Sequence, residues 1–415
     1  MYDYVNVDWT INMTAAPRGR GGAWVAASEA SRLLGVTRAT LYAYVSRGFV
    51  RSQAASGSTR ERAYSRDDVE RLRRRTEERR EPDKATARAL QWGMPILESS
   101  IALIDGARLY YRGLDATVLA RSRSLEEVAA LIWTGRFDAL RAPGPAARIA
   151  LPASGVPFAA RAQSMLALAA AHDPLAFDLT PASVAATGLR ILRLLTRAAI
   201  GADPGTLTID AALARAWKSG SRGADVVRAA LVLCADHELN VSSFTARCVA
   251  SSGSHPYAVV IAGLAALEGP KHGGASIRAE SMLASVRQAR PLRAAVGARL
   301  RRGEPIDGFG HPLYREGDPR ARLLLDLLAE RYGKSPELRF VREFARAAGE
   351  MTGEHPNVDF GLAATARVLN LPPGSPFTLF AIGRTVGWLG HAIEQYATGQ
   401  LIRPRAKYVG IPPAP

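Results

Sequence analysis

Disulfide chemistry has almost nothing to work with in this chain, whose only cysteines are Cys234 and Cys248. Two thiols build neither a disulfide framework nor a structural zinc cage. Each lies in an apolar or mixed helical segment, where cysteine serves as a small hydrophobe. Long apolar runs are missing too. The longest, roughly residues 257–267, falls short of the ~18 or more residues that a membrane helix needs. The N-terminal MYDYVNVDWTINM is acidic and lacks the apolar stretch of a secretory leader. These absences predict a cytoplasmic protein with no membrane partner. Aromatics are only 7% of the residues and β-branched alternation is rare, whereas Ala and Leu abound, so the composition predicts a mainly α protein.

Acidic residues are outnumbered, 38 against 54 Lys and Arg, for a formal net charge of +16. The excess is arginine, and it points only weakly to anionic partners, because residues 59–80, TRERAYSRDDVERLRRRTEERR, mix both signs as a solvated helix does. Histidine is scarce, seven in 415 residues. One of them sits in GPKHGGAS, residues 269–276, among residues that make turns and also let a ligand approach the backbone.

Residues 1–22 end in PRGRGG and are predicted to be a flexible tail. From Trp24 onward, SEASRLLGVTRATLYAYVSRGFV predicts two short helices, with Ser28 and Thr37 as N-caps, Gly35 as the break and Gly48 as the stop. This helix-turn-helix, continued by RERAYSRDDVERL, resembles the N-terminal module of MerR-type and excisionase-like regulators. The resemblance implies a module over residues 23–82 that binds DNA. Arg38, Thr40, Tyr42 and Tyr44 would lie near the major groove, and Arg60 and Arg62 would reach phosphates from a wing. The bland alternative is a packing element whose Leu33, Leu34, Val36 and Leu41 form only its own core. Pro82 marks a predicted linker, with a new composition near Leu90. Beyond it, SSIALIDGARLYYRG predicts strands turning at Asp105-Gly106, and LEEVAALIWTG an amphipathic helix ending on Gly135. Helical patterns without an internal repeat fill the rest.

Several later segments place His, Arg and Asp beside Gly and Pro: ADHELN, GPKHGGAS, GFGHPLYREGDPRAR, NVDF, the helix containing GRTVGW, and the terminal RPRAKYVG. In this order they resemble the motifs of the citrate synthase family, over about residues 95–410. The resemblance implies a mainly α, two-domain helical fold. Residues 90–273 and 371–415 would form the large domain, and residues 274–370 a small domain that closes over the cleft.

That chemistry must remove a proton from the methyl of an acetyl thioester, which demands a base and concurrent stabilisation of the enolate. By motif matching, Asp359 is the base, His272 donates to the thioester oxygen and His311 polarises the ketone of the acceptor. The acceptor, oxaloacetate, is a dicarboxylate, and His237, Arg320, Arg384 and Arg403 are implied to cage it. Arg403 would come from the other subunit, which implies a homodimer. Arg315 matches a contact to coenzyme A, which takes part as acetyl-CoA substrate and CoA product; no metal is implied. His172, His255, His355 and His391 read as structural, with His391 at a helix interface. Two departures stand out: Pro312 where many members carry a cation, and Ser276-Ile277 where many carry Asn-Glu. They bear on which oxo acid is accepted. A close alternative is 2-methylcitrate synthase, acting on propionyl-CoA. A DNA-binding regulator whose synthase-like domain senses acyl-CoA or an oxo acid is a second.

Overall fold

The computed structural model describes residues 24–54, 62–70, 72–73, 97–138, 140, 149–152, 155–406 and 408–411. The expectations for the tail at residues 1–22, for Arg60 and for the linker around Pro82 and Leu90 lie outside the described residues. The chain divides into two units, residues 1–98 and 99–415.

In the first unit, β1 (Trp24–Ala26) leads into α1 (Ala27–Leu34) and α2 (Arg38–Ser46), followed by β2 (Ser52–Ala54) and β3 (Arg62–Ser65). The strands form an antiparallel sheet in the order β1-β3-β2. Val25, Ala30, Leu34, Leu41, Val50, Tyr64 and Val69 bury a small core beneath it. Gly35 ends α1 in the left-handed conformation, and the Thr37 hydroxyl accepts the Thr40 N–H at 3.2 Å, as a cap should. Ser28 is not a cap: α1 starts one residue before it, at Ala27, with Ala26 as N-cap and no side-chain cap. Arg51 forks onto Asp68 at 2.7 and 3.1 Å and ties β2 to the helical residues 66–70.

The second unit opens with an antiparallel meander, β4 (Ala102–Asp105), β5 (Arg108–Tyr111) and β6 (Leu114–Asp115), turning at Asp105-Gly106 as expected. Helices follow: α3 (Ala116–Ser122), α4 (Leu125–Thr134), α5 (Phe158–Ala171), α6 (Pro181–Ile200), α7 (Ile209–Ala216), α8 (Gly220–Leu233), α9 (Val241–Ser251) and α10 (Pro256–Leu267). The second half holds α11 (Gly274–Ser285), α12 (Leu292–Arg301), α13 (Pro319–Tyr332), α14 (Pro336–Thr352), α15 (Val358–Leu369) and α16 (Ser375–Thr398). α4 begins with a full capping box, Ser124 and Glu127, and stops on left-handed Gly135. Among the described residues no helix is long and apolar enough to cross a membrane. Cys248 is partly exposed and Cys234 buried, and both are free.

α16 is the organising element. Nearly all of its 24 residues are buried, and it packs against α4, α6, α8, α9 and α10. Close approach requires glycine at 387, where a Cβ would run into Asp236 Oδ1 and the Ala235 carbonyl. The Gly387 N–H donates to that carbonyl at 2.9 Å. The turn after α8 is therefore pressed against the middle of α16, with the Tyr111 hydroxyl within 3.0–3.2 Å of the carbonyls of Val232, Leu233 and Asp236. This adds a side-chain donor to the carbonyls at the C-terminal end of α8.

Candidate active site

Three turns converge on the N-terminal ends of α9, α11, α13 and α15. In the first, Asp236 Oδ2 accepts the N–H of Glu238, whose φ is +52°, and Asn240 caps α9 by accepting the Ser243 N–H at 3.1 Å. The tight bend holds His237 inward and buried. In the second, the His272 N–H donates to Gly269 at 2.9 Å, and α11 starts two residues later at Gly274. A Cβ there would sit 2.9 Å from the Gly269 carbonyl oxygen, so the glycine serves the turn while the histidine does not. In the third, residues 308–310 are stitched to residues 355–357 by Gly310 N to His355 O, Asn357 N to Gly308 O and Asn357 Nδ2 to Gly310 O, at 2.8–3.0 Å.

One carboxylate fixes much of this cluster. Asp318, 2% exposed, caps α13 by taking the Arg320 N–H at 2.9 Å, receives Arg320 Nε and Nη2 at 2.9 and 2.8 Å, and takes the Val358 N–H at 3.0 Å. Arg320, equally buried, is thereby rigid, and the start of α15 is tied to it. Tyr314 lies beside it, with the guanidinium 5.7 Å from the ring centroid, and its hydroxyl meets His237 Nε2 at 2.9 Å. The His311 ring is 4.8 Å from that of Tyr314 and 5.1 Å from that of His237. Leu313 N–H donates to His311 Nδ1 at 3.2 Å, which places the proton of the neutral ring on Nε2.

Arg384 enters from α16. Its Nε donates to the Cys234 carbonyl at 2.8 Å, its guanidinium lies 4.9 Å from the Phe380 ring, and its buried Nη2 has no hydrogen-bond partner among the described residues. The other edge of the cluster is reached through Phe380, whose ring is 5.8 Å from that of His272. His272 Nε2 lies 2.7 Å from Ser242 Oγ, which also accepts the Trp388 indole N–H at 3.1 Å. Asp359, in the first turn of α15, accepts the hydroxyl of Ser276 from α11.

Burial and nearby cations keep the three histidines neutral. Burial first, then the Arg384 charge, lowers His272 to about 4; burial and Arg320 lower His311 to about 4; His237 is pushed well below its ordinary value by burial, Arg320 and Arg384. Asp359 moves the other way, to about 6, because burial outweighs the Ser276 hydrogen bond and the Arg320 charge. Such a carboxylate is largely ionised at neutral pH yet far more basic than an exposed one. Neutral imidazoles with a poised base can share a proton transfer without carrying opposing charges.

Of the residues singled out in the sequence, the fold thus brings together His237, His272, His311, Arg320, Arg384 and Asp359. Arg315 and Arg403 do not join them: both are exposed, Arg403 in the extended segment after α16. Sequence reading missed Ser242, Ser276 as a partner of Asp359, Tyr314 and Asp318. Tyr314 and Asp318 lie inside the quoted GFGHPLYREGDPRAR, but Ser242 carries no local signal beyond its place two residues after the Asn240 cap. His391, read as a helix-interface residue, is fully buried with Nε2 3.2 Å from Asp236 Oδ1, directly behind the His237 turn.

Comparison with known proteins agrees with this arrangement. The family described as citrate synthase, C-terminal domain, matches residues 89–405, and the MerR HTH family of regulatory proteins matches residues 26–76. "Citrate synthase 2" of Bacillus subtilis is 39% identical over 44% of the chain and 50% of its own length. "Putative citrate synthase 2" of Mycobacterium tuberculosis is 33% identical over 74% of the chain and 88% of its own. Proteins named 2-methylcitrate synthase match as well. The crystal structure of citrate synthase from Thermotoga maritima superposes with a TM-score of 0.62 at 27% identity, covering 78% of this chain and 96% of that one. A match running through every turn of the cluster, on the same helical fold, places the second unit of this chain in the citrate synthase family, with a MerR-type helix-turn-helix ahead of it.

Proposed function

We propose that the chain is a citrate synthase, condensing acetyl-CoA with oxaloacetate and hydrolysing the resulting thioester to citrate and CoA. The observation that carries the reading is the pairing of Arg320, locked by Asp318, with Arg384, whose buried Nη2 lacks a partner among the described residues, beside the neutral His237 and His311. A buried guanidinium N–H without an acceptor is costly unless a ligand supplies one, and a dicarboxylate supplies it in the forked geometry arginine favours. In this reading His237, Arg320 and Arg384 hold the carboxylates of oxaloacetate, and His311 Nε2–H donates to its ketone.

Asp359 takes the methyl proton of the acetyl thioester. His272 donates to the thioester oxygen as the enol forms, and Ser242 Oγ, 2.7 Å from its Nε2, holds the ring in place. Carbon–carbon bond formation follows, and water then cleaves the thioester. Residues 274–370 would act as the small domain that closes the cleft, with Arg315 on a CoA phosphate. Arg403 would complete the cage of the other subunit in a homodimer. An arm of this kind agrees with the exposed apolar residues of the same terminal segment, Leu401, Tyr408, Val409 and Ile411, at 59–88% exposure. A cytoplasmic location fits these substrates.

A DNA-binding role for the first unit is supported by Arg38, Tyr42 and Arg62, which are exposed on it. Tyr44 belongs to the packing instead, half-buried and edge-on to Phe49 at 6.3 Å. Binding of this class is salt-dependent and sequence-selective; equal affinity for random DNA would reduce the unit to a packing element. Propionyl-CoA is a second acyl donor to test, given the relatives named 2-methylcitrate synthase. The deciding experiment is release of free thiol from acetyl-CoA and from propionyl-CoA in the presence of oxaloacetate. Release from acetyl-CoA is the expected result. Faster release from propionyl-CoA would move the assignment to 2-methylcitrate, and none from either would leave a sensor domain.

A further inference from the structure

The hydroxyl of Ser276 donates to Oδ1 of Asp359 across the gap between α11 and α15. Ser276 has no solvent exposure, so its O–H must find an acceptor inside the protein. A helical serine usually turns back to the carbonyl one turn earlier, but here it reaches the carboxyl group 83 positions away in sequence. The residue is also one of the two places where the chain departs from the common family motif.

We propose that Ser276 is a positioning residue for Asp359: by donating to Oδ1 it fixes the carboxyl plane and leaves Oδ2 as the atom that takes the substrate proton. The proposal rests on the condensation reading above. In the step concerned, a C–H bond of the thioester methyl breaks, an O–H bond forms at Oδ2, and the electron pair moves to the thioester oxygen facing His272. A carboxylate free to rotate would present either oxygen in several planes, and orientation of this kind is a large part of what an active site supplies.

The other charged groups around Asp359 are set by neighbouring elements. Arg278 faces it from α11, and Arg320 with its partner Asp318 from the start of α13. Cys234 faces it from the end of α8, and also feels Arg384 of α16. Glu337 of α14 is engaged with Arg367 at the far end of α15, 2.7 Å away. None of these hydrogen-bonds the carboxyl group among the described residues, so Ser276 acts on it separately from them. A hydrogen bond to the charged form favours that form, and its removal raises the pKa.

The test compares full-length wild type, Ser276→Ala and Ser276→Thr by carboxyl ¹³C NMR titration of labelled aspartate, with the Asp359 signal assigned from Asp359→Asn. Each protein is also followed by thiol release from acetyl-CoA with oxaloacetate against pH. Ser276→Ala removes a single oxygen and should fold. Its Asp359 midpoint and the acid limb of kcat are expected to move up together by about one pH unit, the size of one hydrogen bond to a charged group. The kcat on the plateau should fall severalfold while the KM for oxaloacetate stays unchanged, and Ser276→Thr should retain both wild-type midpoint and rate. Coincident titrations of Ser276→Ala and wild type would overturn the proposal, as would a shifted midpoint with no loss of plateau kcat. A midpoint shifted by Ser276→Ala, with no thiol released by the wild type, would instead overturn the condensation reading while leaving the Ser276–Asp359 bond established.

Discussion

His272 shows how far one side chain can be separated from the turn that carries it. The turn is held by backbone hydrogen bonds and by Gly274, whereas the imidazole points to Ser242 and Phe380. His272→Ala should therefore fold normally and still bind oxaloacetate, as followed by isothermal calorimetry, while turnover falls about 10²–10³-fold, the scale of one lost oxyanion donor. Near-normal turnover would mean that the histidine serves the turn. Asp359 allows a prediction of opposite sign for stability. Its folded pKa is raised to about 6, so between the unfolded carboxylate range and about 6 the folded state binds more protons. Stability then falls as pH rises through that window, and above it the buried charge is a standing cost. Asp359→Asn should abolish turnover and raise the melting temperature at pH 7, with the gain vanishing near pH 4. A melting temperature that drops at pH 7 would show that the ionised carboxylate is a structural partner.

At the scale of elements, Asp318 binds more together than its place in D-P-R suggests, because one buried carboxylate serves the cap of α13, the fork of Arg320 and the first turn of α15. Removing it leaves a buried guanidinium without its counter-charge, so Asp318→Ala should cost about 3–5 kcal/mol in denaturant unfolding. A loss under about 1 kcal/mol, on the order of a surface pair, would show that Arg320 finds water instead. The contrast explains what was legible in the sequence. Thr37, Gly35 and Gly135 were readable as helix ends because each acts on backbone within four residues of itself. Ser28 misled because it is a capping type placed inside a helix that opens with no side-chain cap at all. The histidines, arginines and aspartate of the site were readable through the ordered motifs. Their supports were not: Ser242 meets His272 over 30 positions, Tyr314 meets His237 over 77, and Ser276 meets Asp359 over 83. Contacts at such separations are set by how α16 draws α8 and α9 together, and composition and periodicity do not encode that choice.

For the molecule as a whole, the charge balance of the site bears on the proposed homodimer. Arg320 is matched by Asp318, and burial lowers the pKa of Arg384 while the Asp236 charge opposes that shift. A single chain thus brings its two inner arginines with two buried carboxylates, leaving little net positive charge for an incoming dianion. Arg403, exposed on the extended segment beyond α16, is a cation without a carboxylate partner among the described residues, carried on a segment rich in exposed apolar side chains. If that arm completes the site of its neighbour, Arg403→Ala and Asp359→Asn proteins should each be inactive, one lacking a cation at the partner's site and the other its own base. Mixing them in equal amounts under conditions of subunit exchange gives hybrids in which one site has both groups intact and the other has neither. Statistical exchange in a two-fold dimer makes half of the dimers hybrid, so thiol release should recover to roughly a quarter of wild type. Exchange demonstrated by mass-tagged subunits with no recovery of activity would show that Arg403 serves its own chain or none.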